Sequence, residues 1–235
     1  MSMPQQPRAR LIAECASNHG GDLEIIKRLI TTALDAGADF VKFQLYPGQR
    51  LASSDPQAAW LRQAQLREDH LRTILTWAGE QAMFSVFDHQ GLEILRQLGA
   101  RAFKVGHADR WRRLWDGALA DEEWFVSHAW GRDSVGNSGD PRVTALATIP
   151  LYPAPLGALA GMVRLAGYSD HTIGLDACKI MLARGVHVVE KHFSIDGCPR
   201  RQAWDMDAQG LAELVAWSRV CTEAREGSAL TERWG

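Results

Sequence analysis

The feature that most constrains this chain is a rhythm. Short β-branched and aromatic runs alternate with stretches whose apolar residues return every three or four positions, the mark of parallel βαβ units. The first run is Arg10–Cys15, followed by a turn through Gly20, Gly21 and Asp22, with Asp22 placed to cap a helix. Leu23, Ile26, Leu29, Ile30, Ala33 and Leu34 give that helix one apolar face, and Gly37 ends it. Further strands are expected at Phe40–Gln44, Met83–Val86, Arg101–Val105, Trp124–Ser127, Ala145–Ile149, Arg164–Tyr168 and Val186–Lys191. Helices are expected at Glu68–Glu80, Gln90–Leu98, Trp111–Leu119, Leu175–Arg184 and Ala208–Glu226. The stretch Gly131–Arg142 is rich in Gly, Ser, Asp and Asn, so the helix due after strand five is missing. The reading is an α/β fold, a (β/α)8 TIM-type barrel without that helix. It forms one domain over residues 1–235, with 1–9 flexible.

Length and composition agree with a bare barrel. The 235 residues approach the roughly 250 of such a domain. With 46% hydrophobic and 23% charged residues, the chain can bury an ordinary core. A net charge of -2 excludes nucleic-acid binding by bulk charge. The first ten residues carry no apolar core of a leader, and no apolar run has the roughly 18 residues of a membrane span. Four cysteines without CxxC spacing read as reduced thiols, so a cytoplasmic protein without membrane contact is expected. The nine tryptophans read as packing or groove residues.

In such a barrel the chemistry gathers at the C-terminal ends of the strands. The polar residues there are Glu14, Lys42, Gln44, Ser85, Lys104, His107, Ser127, His128, Ser169, His171, Glu190, Lys191 and His192. Lys42 and Lys104 are each flanked by core residues, so together they suggest a cationic pocket for a phosphate or carboxylate. A single such lysine would equally well snorkel to solvent. His171 and His192 end neighbouring strands and could converge on one divalent cation, although a lone histidine there is more often a hydrogen-bonded loop residue. Buried Glu14 and Glu190 must pair with a cation or hold a raised pKa; the plain structural option is an ion pair with Lys42 or Lys191 inside the barrel. Gly20–Gly21 is a weak hint of a phosphate loop.

Seven ordered blocks then stand out. They are Ile12–Asp22 (IAECASNHGGD), Ala36–Gln44 (AGADFVKFQ), Ser85–Asp88 (SVFD), Phe103–His107 (FKVGH), Tyr152–Pro155 (YPAP), Tyr168–Gly174 (YSDHTIG) and Glu190–Phe193 (EKHF). In order and spacing they resemble the motifs of the N-acetylneuraminate (sialic acid) synthase family. That resemblance implies metal-dependent condensation of phosphoenolpyruvate with a sugar or amino-sugar aldehyde, giving a nonulosonic-acid-like 2-keto acid and phosphate. It implies a divalent metal, Mn2+ or Mg2+, between His171 and His192, and Glu14, Glu190 and His171 as catalytic groups. Lys42, Lys104 and Ser169 would grip phosphoenolpyruvate, with Ser85 and Ser127 beside it. His107 stands where the family has a serine, and Gln44, Asp109 and Tyr152 fall where the sugar is held. The family assembles as a homodimer with the help of a second, antifreeze-like domain that has no counterpart in these residues. Pro150 stands where the family has an asparagine, and Asp196–Arg201 with Trp204–Asp205 departs from the family's segment after EKHF.

Two other readings compete. His107, His128, His171 and His192 could serve a metal-dependent lyase or hydrolase. A worn barrel could also bind a phosphorylated metabolite without catalysis.

Overall fold

The computed structural model describes residues 8–47, 57–130, 140–162 and 166–231, the last six of these by backbone alone. Eight strands, β1 (Arg10–Ala16), β2 (Phe40–Gln44), β3 (Ala82–Ser85), β4 (Ala102–Val105), β5 (Glu123–Ala129), β6 (Val143–Thr148), β7 (Gly167–Asp170) and β8 (Val188–His192), close into a barrel in chain order. Every neighbouring pair is parallel, including β1 with β8. The helices are α1 (Leu23–Asp35), α2 (Ala58–Gln63), α3 (Glu68–Ala78), α4 (His89–Gln97), α5 (Asp176–Ala183) and α6 (Ala208–Thr231). No described helix is long and apolar enough to cross a membrane.

The expected elements form where sequence places them, with local exceptions. Asp22 does cap α1, accepting from the backbone N–H groups of Glu24 and Ile25. Short α2 forms between β2 and α3, where the sequence pattern marks no element. The α-helix expected at Trp111–Leu119 is instead a pair of 3-10 turns, His107–Arg112 and Leu114–Gly117. Arg113 breaks the run between them by adopting a left-handed conformation, φ 48°. The helix missing after strand five and the early residues of strand seven, 164 and 165, concern positions outside the described residues. So do 131–139 and the N-terminal 1–7.

Alternation along each strand sorts the side chains into two sets. Leu11, Ala13, Val41, Phe43, Phe84, Phe103, Trp124, Ala147, Tyr168 and Val189 point outward and pack under the helices in the main core. Ile12, Phe40, Met83, Ala102, Phe125, Leu146 and Val188 point inward as a separate apolar cluster inside the barrel. Below it, the Arg10 guanidinium lies 5.4 Å from both the Phe40 and Phe125 rings and pairs with Glu123, closing the N-terminal end. Gly167 belongs to the inward set, and a Cβ there would lie 2.6 Å from Leu146 Cδ2.

The Gly20–Gly21 turn has a packing reason. Both residues have positive φ, 58° and 83°, and a Cβ on Gly21 would come within 2.3 Å of the Gln63 carbonyl oxygen. Pro199 and Trp60 crowd Gly20 in the same way. Gly21→Ala combines that clash with a left-handed backbone, so we expect it to destabilise the fold by about 2–4 kcal/mol in urea unfolding.

Candidate functional site

Two residues beyond the inward apolar cluster, the same strand faces turn polar. Glu14, Lys42, Ser85, Lys104, Ser127, Thr148, Ser169, Glu190 and His192 each follow an inward core residue by two or four positions. With Gln44, Tyr46, His107, Asp109, Tyr152 and His171 they line a pocket of about 220 Å³ at the C-terminal mouth of the barrel. Larger hollows of about 480 and 720 Å³ lie elsewhere, but neither has a lysine or histidine in its lining. Chemistry, not size, singles out the mouth.

The centre of the pocket is a buried ion cluster. Lys42 Nζ lies 3.2 Å from Glu14 Oε2 and 3.1 Å from Glu190 Oε2, and donates to Ser85 Oγ at 3.1 Å. Lys104 Nζ donates to Ser127 Oγ at 2.7 Å and stands 3.7 Å from Glu190 Oε1. Ser169 Oγ donates to that same Glu190 oxygen at 2.8 Å, and Gln44 Nε2 donates to Glu14 Oε1 at 2.5 Å. Both glutamates therefore share Lys42, as one of the two structural options held. Lys191 is not in the barrel: its parity turns it outward, where it pairs with Asp170.

The two carboxylates are driven apart in acidity. Burial raises Glu14 to about 7, opposed by Lys42 and reinforced by the nearby Glu190 charge. Burial also acts on Glu190, but Lys104, Lys42 and the Ser169 hydroxyl outweigh it and hold that carboxyl well below the usual range. Burial lowers Lys104 to about 8, with Glu190 opposing and Lys42 adding to the fall. Lys42 is raised because its two carboxylates outweigh its burial. While Glu14 holds its proton, two ammonium groups face one firm carboxylate. The cradle is then net positive and suited to an anion.

The histidines occupy the neighbouring wall. The rings of His171 and His192 are 5.6 Å apart, and burial drives both toward the neutral form, His171 to about 4. His171 Nδ1 lies 3.0 Å from the Ile149 carbonyl, which fixes a tautomer leaving Nε2 as a lone-pair donor. The Tyr152 ring lies tilted against His171 with centroids 4.0 Å apart, and Trp204 stands edge-on to Tyr152 and His192 at 5.7 and 6.4 Å. Sequence marks Trp204 only as part of the departure after EKHF, not as a pocket residue. Nothing but its place after EKHF marks it among nine tryptophans, and only the return of the 196–206 loop brings it here. Thr148, hidden in an apolar strand, was missed for the same reason.

Asp109 is buried in the 3-10 turn after β4, with Arg112 3.5 Å away, and His107 lines the pocket beside it. His128 goes the other way, since it alternates with inward Ser127 on β5. A four-histidine centre is therefore not assembled. Among the described residues, no three His, Cys, Asp or Glu side chains are grouped to hold a metal ion.

A closed parallel barrel with a lysine-carboxylate cradle beside paired neutral imidazoles defines an anion-handling α/β-barrel site. The NeuB family profile matches residues 29–112 and 138–229, and the chain belongs to that family. It is 28% identical to the N,N'-diacetyllegionaminic acid synthase of Campylobacter jejuni, over 92% of this chain and 75% of that one. It is also 28% identical to the N,N'-diacetyllegionaminic acid synthase of Legionella pneumophila, over 79% of this chain but only 64% of that protein. The fold superposes on an N-acetylneuraminic acid synthetase from Leptospira borgpetersenii with TM-score 0.77 and 22% identity, covering 93% and 85% of the two chains.

The lowered Lys104 pKa gives a direct test of the cradle. Sulfate binding followed by calorimetry should weaken about tenfold per pH unit above 8, as Lys104 loses its proton. Ionisation of Glu14 through about 7 acts in the same direction. Lys104→Met should flatten the upper part of that dependence.

Proposed function

We propose that this chain condenses phosphoenolpyruvate with the open-chain aldehyde of a sugar or amino sugar, releasing phosphate and a nonulosonic-acid-like 2-keto acid. The observation that carries the reading is the pair of buried lysines, Lys42 and Lys104, on one inward layer with two neutral histidines. Phosphoenolpyruvate is both a phosphate and a carboxylate, and two ammonium groups with the hydroxyls of Ser85, Ser127 and Ser169 match those two anionic ends. The matched relatives, named N,N'-diacetyllegionaminic acid synthases, support the same class.

His171 and His192 would hold a divalent cation, Mn2+ or Mg2+. Two neutral imidazoles, one oriented by its other nitrogen on a backbone carbonyl, are competent lone-pair donors to a divalent cation. When bound, the ion supplies Lewis-acid polarisation for the acceptor's aldehyde oxygen.

The chain's own residues do the rest. Lys42 and Lys104 hold the enol phosphate so that its C3 faces the aldehyde carbon. A C–C bond forms there from the C2=C3 electron pair, which leaves C2 electron-deficient, while the former aldehyde oxygen takes a proton from solvent. Water then adds to C2, and its proton passes to Glu14, whose pKa of about 7 suits a base near neutral pH. The C2 hydroxyl then passes its proton to the leaving phosphate as the bond from C2 to the phosphate oxygen breaks, which leaves the 2-keto group and releases phosphate, whose charge the two lysines meet. Gln44 orients Glu14 through its amide. Tyr152, Asp109 and His107 would face the acceptor at the rim. A cytoplasmic setting fits the four free cysteines, and a homodimer is the proposed assembly.

The test is phosphate release from phosphoenolpyruvate with Mn2+ and a panel of amino sugars and sugar phosphates. Release that requires one acceptor supports the reading; no release with any acceptor, together with no binding of phosphoenolpyruvate, overturns it. With an active acceptor, kcat should rise through about pH 7 as Glu14 ionises and fall above about 8 as Lys104 discharges. Glu14→Gln should remove the acid limb and cost roughly 10²–10⁴ in kcat.

A further inference from the structure

On the outer side of the strands that carry the two histidines lies a second buried ion pair. Lys191 Nζ and Asp170 Oδ2 are 2.5 Å apart, and both side chains are essentially without solvent. Asp170 is nearly saturated: Tyr168 Oη donates to Oδ1 at 2.8 Å and Thr172 N–H at 3.1 Å. Thr172 Oγ1 and Cys178 Sγ from α5 donate to Oδ2 at 3.1 and 3.3 Å. Lys191 also donates to the Thr172 carbonyl at 2.8 Å.

The placement is what gives the pair meaning. Asp170 and Lys191 are register partners across β7 and β8. Each is the chain neighbour of one pocket histidine, Asp170 of His171 and Lys191 of His192. His171 lies just past the end of β7, where its backbone is held by a bond from Ala154 N–H to the His171 carbonyl at 2.9 Å in the isolated Ala154–Thr172 bridge. The contacts from Asp170 to Thr172 N–H and from Lys191 to the Thr172 carbonyl clasp the peptide units on both sides of Thr172. They therefore fix the backbone that emerges from His171.

A buried ion pair contributes little net stability, because desolvation of both charges offsets their attraction, and its best-attested use is to set register. We propose that Asp170 and Lys191 are positioning residues that set the separation and aim of His171 and His192. They act from behind the wall and touch no substrate. The proposal rests on the reading of that histidine pair as a divalent-cation site.

The test is Mn2+ titration of the full chain followed by electron paramagnetic resonance, with thermal unfolding in parallel. The double variant Asp170→Asn with Lys191→Met removes both charges at similar volume. Thr172→Val deletes one donor to Asp170 and keeps its shape, so it remains informative if the double variant does not fold. The expected result is Mn2+ affinity at least tenfold weaker in the double variant and about two- to threefold weaker in Thr172→Val, with unfolding temperatures near that of the parent. Wild-type Mn2+ affinity in every variant that folds overturns the proposal while leaving the cation reading intact. Failure of the unaltered protein to bind Mn2+ removes the cation reading, and this proposal with it.

Discussion

Lys42 holds the site together. Its ammonium stands between Glu14 and Glu190 at the mouth of the barrel, with all three side chains buried. Isolated, any of these charges would cost several kcal/mol to bury. Together they are tolerable, and the manner in which they share charge decides the chemistry. Glu190 has two lysines and a hydroxyl and stays ionised. Glu14 has half of one lysine and keeps its proton to about pH 7. Two carboxylates 176 positions apart in the chain thus become a permanent counter-ion and a titrating base.

That cluster requires a dry floor beneath it. The inward apolar cluster of Ile12, Phe40, Met83, Ala102, Phe125, Leu146 and Val188 fills the barrel just below, and Arg10 with Glu123 seals the far end. Each strand therefore carries an apolar residue inward, then a polar one two positions on. The strand core anchors the machinery and the mouth exposes it, the general division of labour in this fold. The same strands use their outward faces for a second polar device, so β8 presents Glu190 inside, Lys191 outside and His192 inside.

The rim is built differently. Tyr152, Trp204, His107 and Asp109 come from loops and 3-10 turns, where segments can change without disturbing the barrel. It is here that the chain departs from the motifs it resembles, at His107, Pro150 and Trp204. These departures lie in rim segments, whereas Glu14, Lys42, Lys104, Ser169, Glu190 and His192 lie on strands.

Much of this was legible in sequence because periodicity is a local property. Eight strands, the helix faces and the cap at Asp22 follow from residues within a few positions of one another. So does the gathering of Glu14, Lys42, Lys104, Ser169 and His192 at strand ends. Arg113 escaped, since a left-handed break in a Trp-rich run depends on the packing of the turn around it. Trp204 escaped because a loop's return path has no period. The partner of each charge also could not be read in advance: Lys191 follows Glu190 in sequence yet faces the opposite side of the sheet. Sequence by itself determined the barrel and the list of polar strand ends. Only the closed sheet decided which of them share the interior, because strand parity and register are settled when β1 meets β8.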